Sequence, residues 1–210
     1  MESWVHSNNL HLNRAKSVEI VFAGSKRTRN AASTPPPLPH IGPVSSLKML
    51  GVTVSSRPSV SDHVQNVVSS CAQTLHALRL LRAHALCDAA LQTVYQGVVV
   101  ARLLYAASAW WGFTTAADRQ RIEGFLRRGV RAGYRLADEP TAAQLVEEMD
   151  DQLFHRVKYV SGHVLLPLLP SRRSESYSLR ERRHDYQLSC RQNSVTDKNF
   201  ITRLLFKDIY

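Results

Sequence analysis

Cysteine is scarce: Cys71, Cys87 and Cys190 are too few, and odd in number, for a disulfide framework in a chain of 210 residues. None belongs to a C-x2-C pair, and His84 with Cys87 has no second pair to complete a zinc set. A reducing compartment inside the cell, cytoplasm or nucleus, is therefore expected. Met1–Leu12 is mostly polar and holds no apolar core of signal-peptide length. Long apolar runs are missing too. The most apolar stretch, Val94–Trp111, contains Gln96 and Arg102 with Ser108 near its end. It barely reaches membrane-spanning length and predicts a buried core helix, with no membrane partner. No glycine-rich phosphate loop and no internal repeat occur. Acid is short: Asp and Glu number 17 against 27 Lys and Arg, a net charge of +10. That balance favours a polyanionic partner, nucleic acid before a membrane surface, over the plainer alternative of a solvated basic surface.

What is present is a foldable chain, with 44% hydrophobic and 21% charged residues. Its length suits one domain, or a helical domain with an incomplete second piece. Val18–Phe22 reads as a short strand, rich in β-branched and aromatic residues. The polar, basic stretch with Lys26, Arg27 and Arg29 and the prolines Pro35, Pro36, Pro37 and Pro39 predict a loop over residues 24–43. Leu47–Val54 is a second strand candidate, with Gly51 as a bend or close-approach site. Two short strands bury no sheet face alone. Residues 1–55 thus read as the end of a sheet domain whose other strands are absent.

From Ser61, a candidate N-cap, the pattern turns helical, with Val64, Val67, Val68, Cys71, Leu75 and Leu78 on one face. Asp88 is expected to cap a second helix opened by Leu91, Val94, Tyr95, Val98 and Val99, apolar all round like the centre of a bundle. Asp118 is expected to begin a third, with Ile122, Phe125, Leu126, Gly129 and Val130 inward. Thr141–Met149 and Gln152–Leu166 read as a fourth and a fifth. Beyond Pro170 the chain becomes an arginine-rich tail with one short helix near Phe200–Phe206. The fold class expected is mainly α: a helical bundle over residues 56–170, preceded by two short strands and followed by a basic tail, residues 171–210.

The opening residues Trp4, Asn8, Leu10, Leu12, Asn13, Lys16, Ser17, Ile20 and Phe22 spell W-x3-N-x-L-x-L-N-x2-K-S-x2-I-x-F. This resembles the segment after the catalytic hairpin in reverse transcriptases of non-LTR, jockey-like retrotransposons. The resemblance implies that the segment closes an incomplete palm sheet and that Lys16 lies near the incoming nucleotide. Leu47-Lys48-Met49-Leu50-Gly51-Val52 is similar to the family's K-x-L-G-V strand, which resembles a primer grip and makes Lys48 a candidate contact. Leu78-Arg79-Leu80-Leu81-Arg82 and Leu104-Tyr105-Ala106 with Trp110 resemble stretches of the thumb. Tyr177-Ser178-Leu179-Arg180, with Arg182, Arg183 and His184, and Asn199-Phe200-Ile201 running to Tyr210 resemble the family's tails. The resemblance spans essentially the whole chain. A tryptophan common in the family near Val60–Ser61 is missing, and the run Pro35–Pro37 is unusual for it.

In that family two metal ions, held by aspartates, activate the primer hydroxyl and stabilise the leaving pyrophosphate. By resemblance those aspartates, and the parent enzyme's Mg2+, belong upstream of Met1, so no catalytic residue, metal ligand or cofactor is expected here. Glu148-Met149-Asp150-Asp151 mimics an active-site hairpin, but its acidic surroundings read as a solvated helix end. Ser61-Asp62-His63 forms no triad, because adjacent side chains on a helix point apart.

The basic residues remain. Arg121, Arg128 and Arg135 recur every seven residues, and Arg127 and Arg131 are four apart, a guanidinium ribbon opposite the apolar face of one helix. Such spacing suits successive phosphates of a duplex; the alternative is a solvated face partly paired with Glu123. Arg172, Arg173, Arg180, Arg182 and Arg183, near Tyr177 and Tyr186, offer charge and stacking to RNA, or form a disordered basic tail without a role. The reading reached is the C-terminal fragment of a transposon-encoded RNA-directed DNA polymerase. Its partner would be an RNA or DNA template–primer, held weakly and without sequence preference. The alternatives are a helical interaction module using the faces Val64–Leu78 and Ile122–Val130, or a decayed, non-functional reading frame.

Overall fold

The computed structural model describes residues 2–11, 13, 16–22, 36, 38–39, 41–57, 59–173, 184–188, 190 and 195–208. The chain is mainly helical with two small sheets, and divides into two units, Met1–Val60 and Ser61–Tyr210.

The first unit opens with a short helix, α1 (Glu2–Ser7), extended by the Asn8 side-chain amide donating to the Trp4 carbonyl at 2.8 Å. Of the strand expected over Val18–Phe22, only β1 (Val18–Glu19) pairs, in parallel with β2 (Gly42–Pro43) inside the expected loop. Glu19 holds the pair: its carbonyl accepts from Val44 N–H at 2.7 Å and its carboxylate from Leu38 N–H at 3.1 Å. The single strand expected over Leu47–Val54 is instead an antiparallel hairpin of β3 (Ser46–Met49) and β4 (Val52–Ser55). Leu50 and Gly51 form its two-residue turn, both with positive φ, 48° and 87°. Positive φ at both central residues is the mark of the hairpin turn that matches strand twist. Gly51 tolerates this freely. Leu50 bears the strain with its side chain 86% exposed.

The second unit begins with α2 (Ser61–Ala83). Its buried stripe, Val64, Val68, Cys71, Leu75 and Leu78, matches the expected face. Asp88 does not cap α3 (Asp88–Val94) but is its first residue, after an N-cap Cys87 that makes no side-chain bond. The Asp88 carboxylate meets Arg82 at 3.1 Å instead. The expected continuous core helix then loosens into a π-helical segment, Tyr95–Val100, resumes as α4 (Ala101–Leu103), and breaks at Ala106, whose φ is 52°. After the break, α5 (Ala107–Trp110) and a 3-10 turn, Trp111–Phe113, bring two adjacent indoles inward. The Trp110 indole N–H donates to the Tyr105 carbonyl at 2.9 Å, and its ring meets His63 edge-on at 5.1 Å. Folding the chain back at Ala106 is what buries both tryptophans, which one straight helix would point in different directions.

A capping box starts α6 (Ala116–Arg131): Thr115 is the N-cap and Asp118 the third helical residue, not the first. The expected fourth and fifth helices are one, α7 (Ala142–Tyr159), also opened by a capping box, Thr141 with Gln144. Nothing at Asp150–Asp151 stops a helix, and Val146, Asp150, Phe154 and Val157 continue its buried face at steps of three and four. The inner faces of α2 and α6, offered above to a protein partner, are consumed in the unit's own core, where Ile122, Phe125 and Leu126 are buried.

The end of the chain belongs to this core. The short helix α8 (Phe200–Leu205), capped by the Asn199 side chain, packs Phe200, Leu204 and Leu205 against Phe154, Val157 and Tyr186. His184 ties the approach: Tyr186 N–H donates to Nδ1 at 3.2 Å, leaving Nε2–H to donate to the Leu205 carbonyl at 2.9 Å. Gly112 lets the chain before α8 come close, because a Cβ there would overlap the Lys198 carbonyl. Among the described residues no helix is long and apolar enough to cross a membrane.

Candidate nucleic-acid interface

The apolar residues of α6 point into the core, so its arginines are left outside. Arg127 and Arg131 are exposed and have no hydrogen-bond or ion-pair partner among the described residues. Arg121 faces the Asp118 carboxylate at 3.6 Å, and the Arg128 guanidinium sits 4.9 Å above the Phe125 ring. Both are exposed. Glu123 is spent elsewhere: it accepts from Ala142 N–H at 3.0 Å, at the start of α7. The arginines thus keep their charge free of that carboxylate.

Arg135 leaves the ribbon. The helix stops at Arg131 with Ala132 as C-cap and Gly133 in the left-handed region, φ 73°. Tyr134 N–H reaches the Gly129 carbonyl and Gly133 N–H the Val130 carbonyl, the two bonds of a Schellman ending. The chain direction changes there, so the seven-residue spacing no longer means a shared face. Arg135 is buried, its Nε donating to Glu139 at 2.8 Å and its Nη2 to the Pro140 carbonyl. It fastens the loop between α6 and α7 and is not free to contact nucleic acid. Arg82 is similarly engaged: it donates to the Ala132 carbonyl at 2.7 Å, pairs with Asp88, and lies 4.4 Å over Tyr134.

Two residues on α2 that the sequence did not single out as contacts, His76 and Arg79, join Arg128 and Arg131 around a notch of about 490 Å³ between α2 and α6. Leu75 and Tyr134, both buried, also line it, and among the described residues no carboxylate does. Spacing alone gave no signal for it, because which edge of the α2 apolar stripe lies beside α6 is not legible in α2 itself. The notch concentrates positive potential where low-dielectric walls strengthen it.

Supports of this surface are buried and specific. Asp118 Oδ2 accepts from the Thr115 N–H at 3.0 Å, the Thr115 hydroxyl at 2.7 Å and the Ser61 hydroxyl at 2.8 Å, tying the start of α2 to the start of α6. Burial raises the pKa of this carboxyl, but the Thr115 and Ser61 bonds and the Arg121 charge outweigh it and hold it below the usual range. Gly129 permits the closest approach of α6 to the core, since a Cβ there would overlap the Tyr95 phenol. Burial pushes that phenol up to about 12 and the Cys71 thiol up to about 11.

Lys16 and Lys48 are exposed and belong to the first unit, Lys48 on β3. Arg180, Arg182 and Arg183 lie outside the described residues. The acid pair Asp150–Asp151 is neither a metal site nor a solvated helix end. Asp150 is buried in mid-helix and pairs with Arg203 at 2.9 Å, and Asp151 pairs with Lys207 at 3.0 Å. Among the described residues no group of three metal-ligating side chains occurs. A larger cleft of about 970 Å³ between α5, α7 and α8 is mostly apolar, with Arg156 as its one charged side chain.

No family model, no curated protein and no solved structure matches this chain.

Proposed function

We propose that this chain is the C-terminal part of a non-LTR retrotransposon reverse transcriptase, whose helical unit holds the backbone of a template–primer while residues outside this sequence do the chemistry. The order of motifs from Trp4 to Phe22, through Leu47–Val52, to the helices supports the descent. The observation that carries the activity is the set of exposed cations Arg79, Arg127, Arg128 and Arg131 on adjoining helices, with no carboxylate among the described residues that line the notch beside Arg79, Arg128 and Arg131. Guanidinium groups so placed neutralise phosphates and read no bases, so binding is electrostatic and indifferent to sequence. Alone, the chain does not polymerise.

A filter-binding titration with a primer–template duplex tests this. Three to four neutralised phosphates predict a loss of affinity of about 40- to 150-fold between roughly 50 and 200 mM salt. Affinity that ignores salt would sink the proposal.

A further inference from the structure

The notch between α2 and α6 differs from a track for a strand's backbone. A track is open at both ends, and each phosphodiester passing along it brings one negative charge. The notch is lined by Leu75 and Tyr134, both buried, and by three arginines, Arg79, Arg128 and Arg131, together with His76. Arg79 and Arg131 have no ion-pair partner among the described residues, and Arg128 only a ring beneath it. Three unopposed positive charges around one small volume exceed what a diester satisfies. A phosphomonoester carries about −1.5 to −2 and three acceptor oxygens on one phosphorus. Planar guanidinium groups pair with its oxygens two at a time.

We infer that the notch receives the terminal phosphate of a nucleic-acid strand. This rests on the nucleic-acid reading above and divides that surface by role. The face of α6 around Arg127 follows the backbone, and the notch holds an end. The same chemistry is offered by a free nucleotide, and the experiment separates the two.

Fluorescence anisotropy is measured on one single-stranded RNA 12-mer prepared with hydroxyls at both ends, with a 5′-phosphate, and with a 3′-phosphate. The wild-type chain is expected to bind one phosphorylated form about tenfold more tightly than the hydroxyl form. Arg79→Gln and His76→Gln, each checked for helix content by circular dichroism, are expected to shrink that preference. Equal affinity for all three RNAs overturns the inference and leaves the backbone-holding proposal standing. Absence of binding to any RNA at low salt overturns both. A preference abolished by nucleoside monophosphate at concentrations matching the RNA overturns the assignment to a strand end. The comparison of RNAs on the wild-type chain decides the matter even where a variant misfolds.

Discussion

The cations of the second unit fall into two groups that the sequence does not distinguish. Around α7 and α8, Arg203 meets Asp150, Lys207 meets Asp151 and Glu147, and Arg135 meets Glu139. On α6 and the facing edge of α2, Arg79, Arg127 and Arg131 meet no acid among the described residues. The first group is an internal fastening and the second is available charge. A net charge of +10 spread over a chain says nothing about this division. What divides them is where each helix ends. Arg131 is the last residue of α6, so its side chain stays outside. Arg135 follows a Schellman turn that points it inward.

The sharpest break in that contrast comes at the buried pair. Asp150→Ala leaves Arg203 beside the Ser108 carbonyl, which its Nη2 reaches at 3.2 Å, without its carboxylate. A loss of about 3 kcal/mol in urea unfolding is expected. The pair is imperfect, since Asp150 Oδ1 and Arg203 Nε find no partner. Replacing both, Asp150→Leu with Arg203→Met, is therefore expected to recover most of that loss, because matched apolar groups replace buried ion pairs at little cost. A double variant no more stable than Asp150→Ala would show that the pair specifies the dock.

A middle effect is expected at Asp118, whose acceptor role joins two helix starts. Asp118→Ala should cost about 1–2 kcal/mol. Its carboxyl is held below the usual range in the folded chain, so the stabilisation is complete above the unfolded value and fades as pH falls through the lower folded value. Thermal melts across that acid window should converge for wild type and Asp118→Ala. Melts that stay parallel would show that this carboxylate does not set the acid sensitivity. The smallest change in stability belongs to the free group: Arg127→Gln with Arg131→Gln should alter unfolding by no more than about 0.5 kcal/mol. The same double change should flatten the salt dependence of duplex binding by about one unit of slope per arginine. A large loss of stability would move these arginines into the fastening group.

The helices were legible because their apolar stripes are long and periodic: α2 and α6 bury the residues whose spacing announced them. The hairpin was not, because Leu50 occupies a positive-φ turn position that its side chain disfavours, and Met49-Leu50-Gly51-Val52 crosses the turn without a polar residue. The join at Asp150–Asp151 misled for a related reason. Adjacent acids resemble a helix end unless a basic partner from far along the chain, here Arg203, is known to reach them. Arg135 was hidden by a local event instead: the helix stops at Gly133, before Arg135 and its partner Glu139, so the seven-residue spacing no longer applies. Of the interface, the α6 arginines could be read from spacing. His76 and Arg79 could not, because their relevance depends on which edge of α2 lies beside α6.

The dock of α8 also sets an order of events during synthesis. Arg203 bonds to Ser108, 95 residues earlier, and Leu204 and Leu205 complete the apolar cluster on α7. A chain still emerging from the ribosome therefore exposes Phe154 and Val157, with Asp150 lacking its counter-charge, until α8 has been made. A nascent chain stalled near Pro170 therefore leaves this apolar face of α7 uncovered, a sticky intermediate rather than a shorter domain.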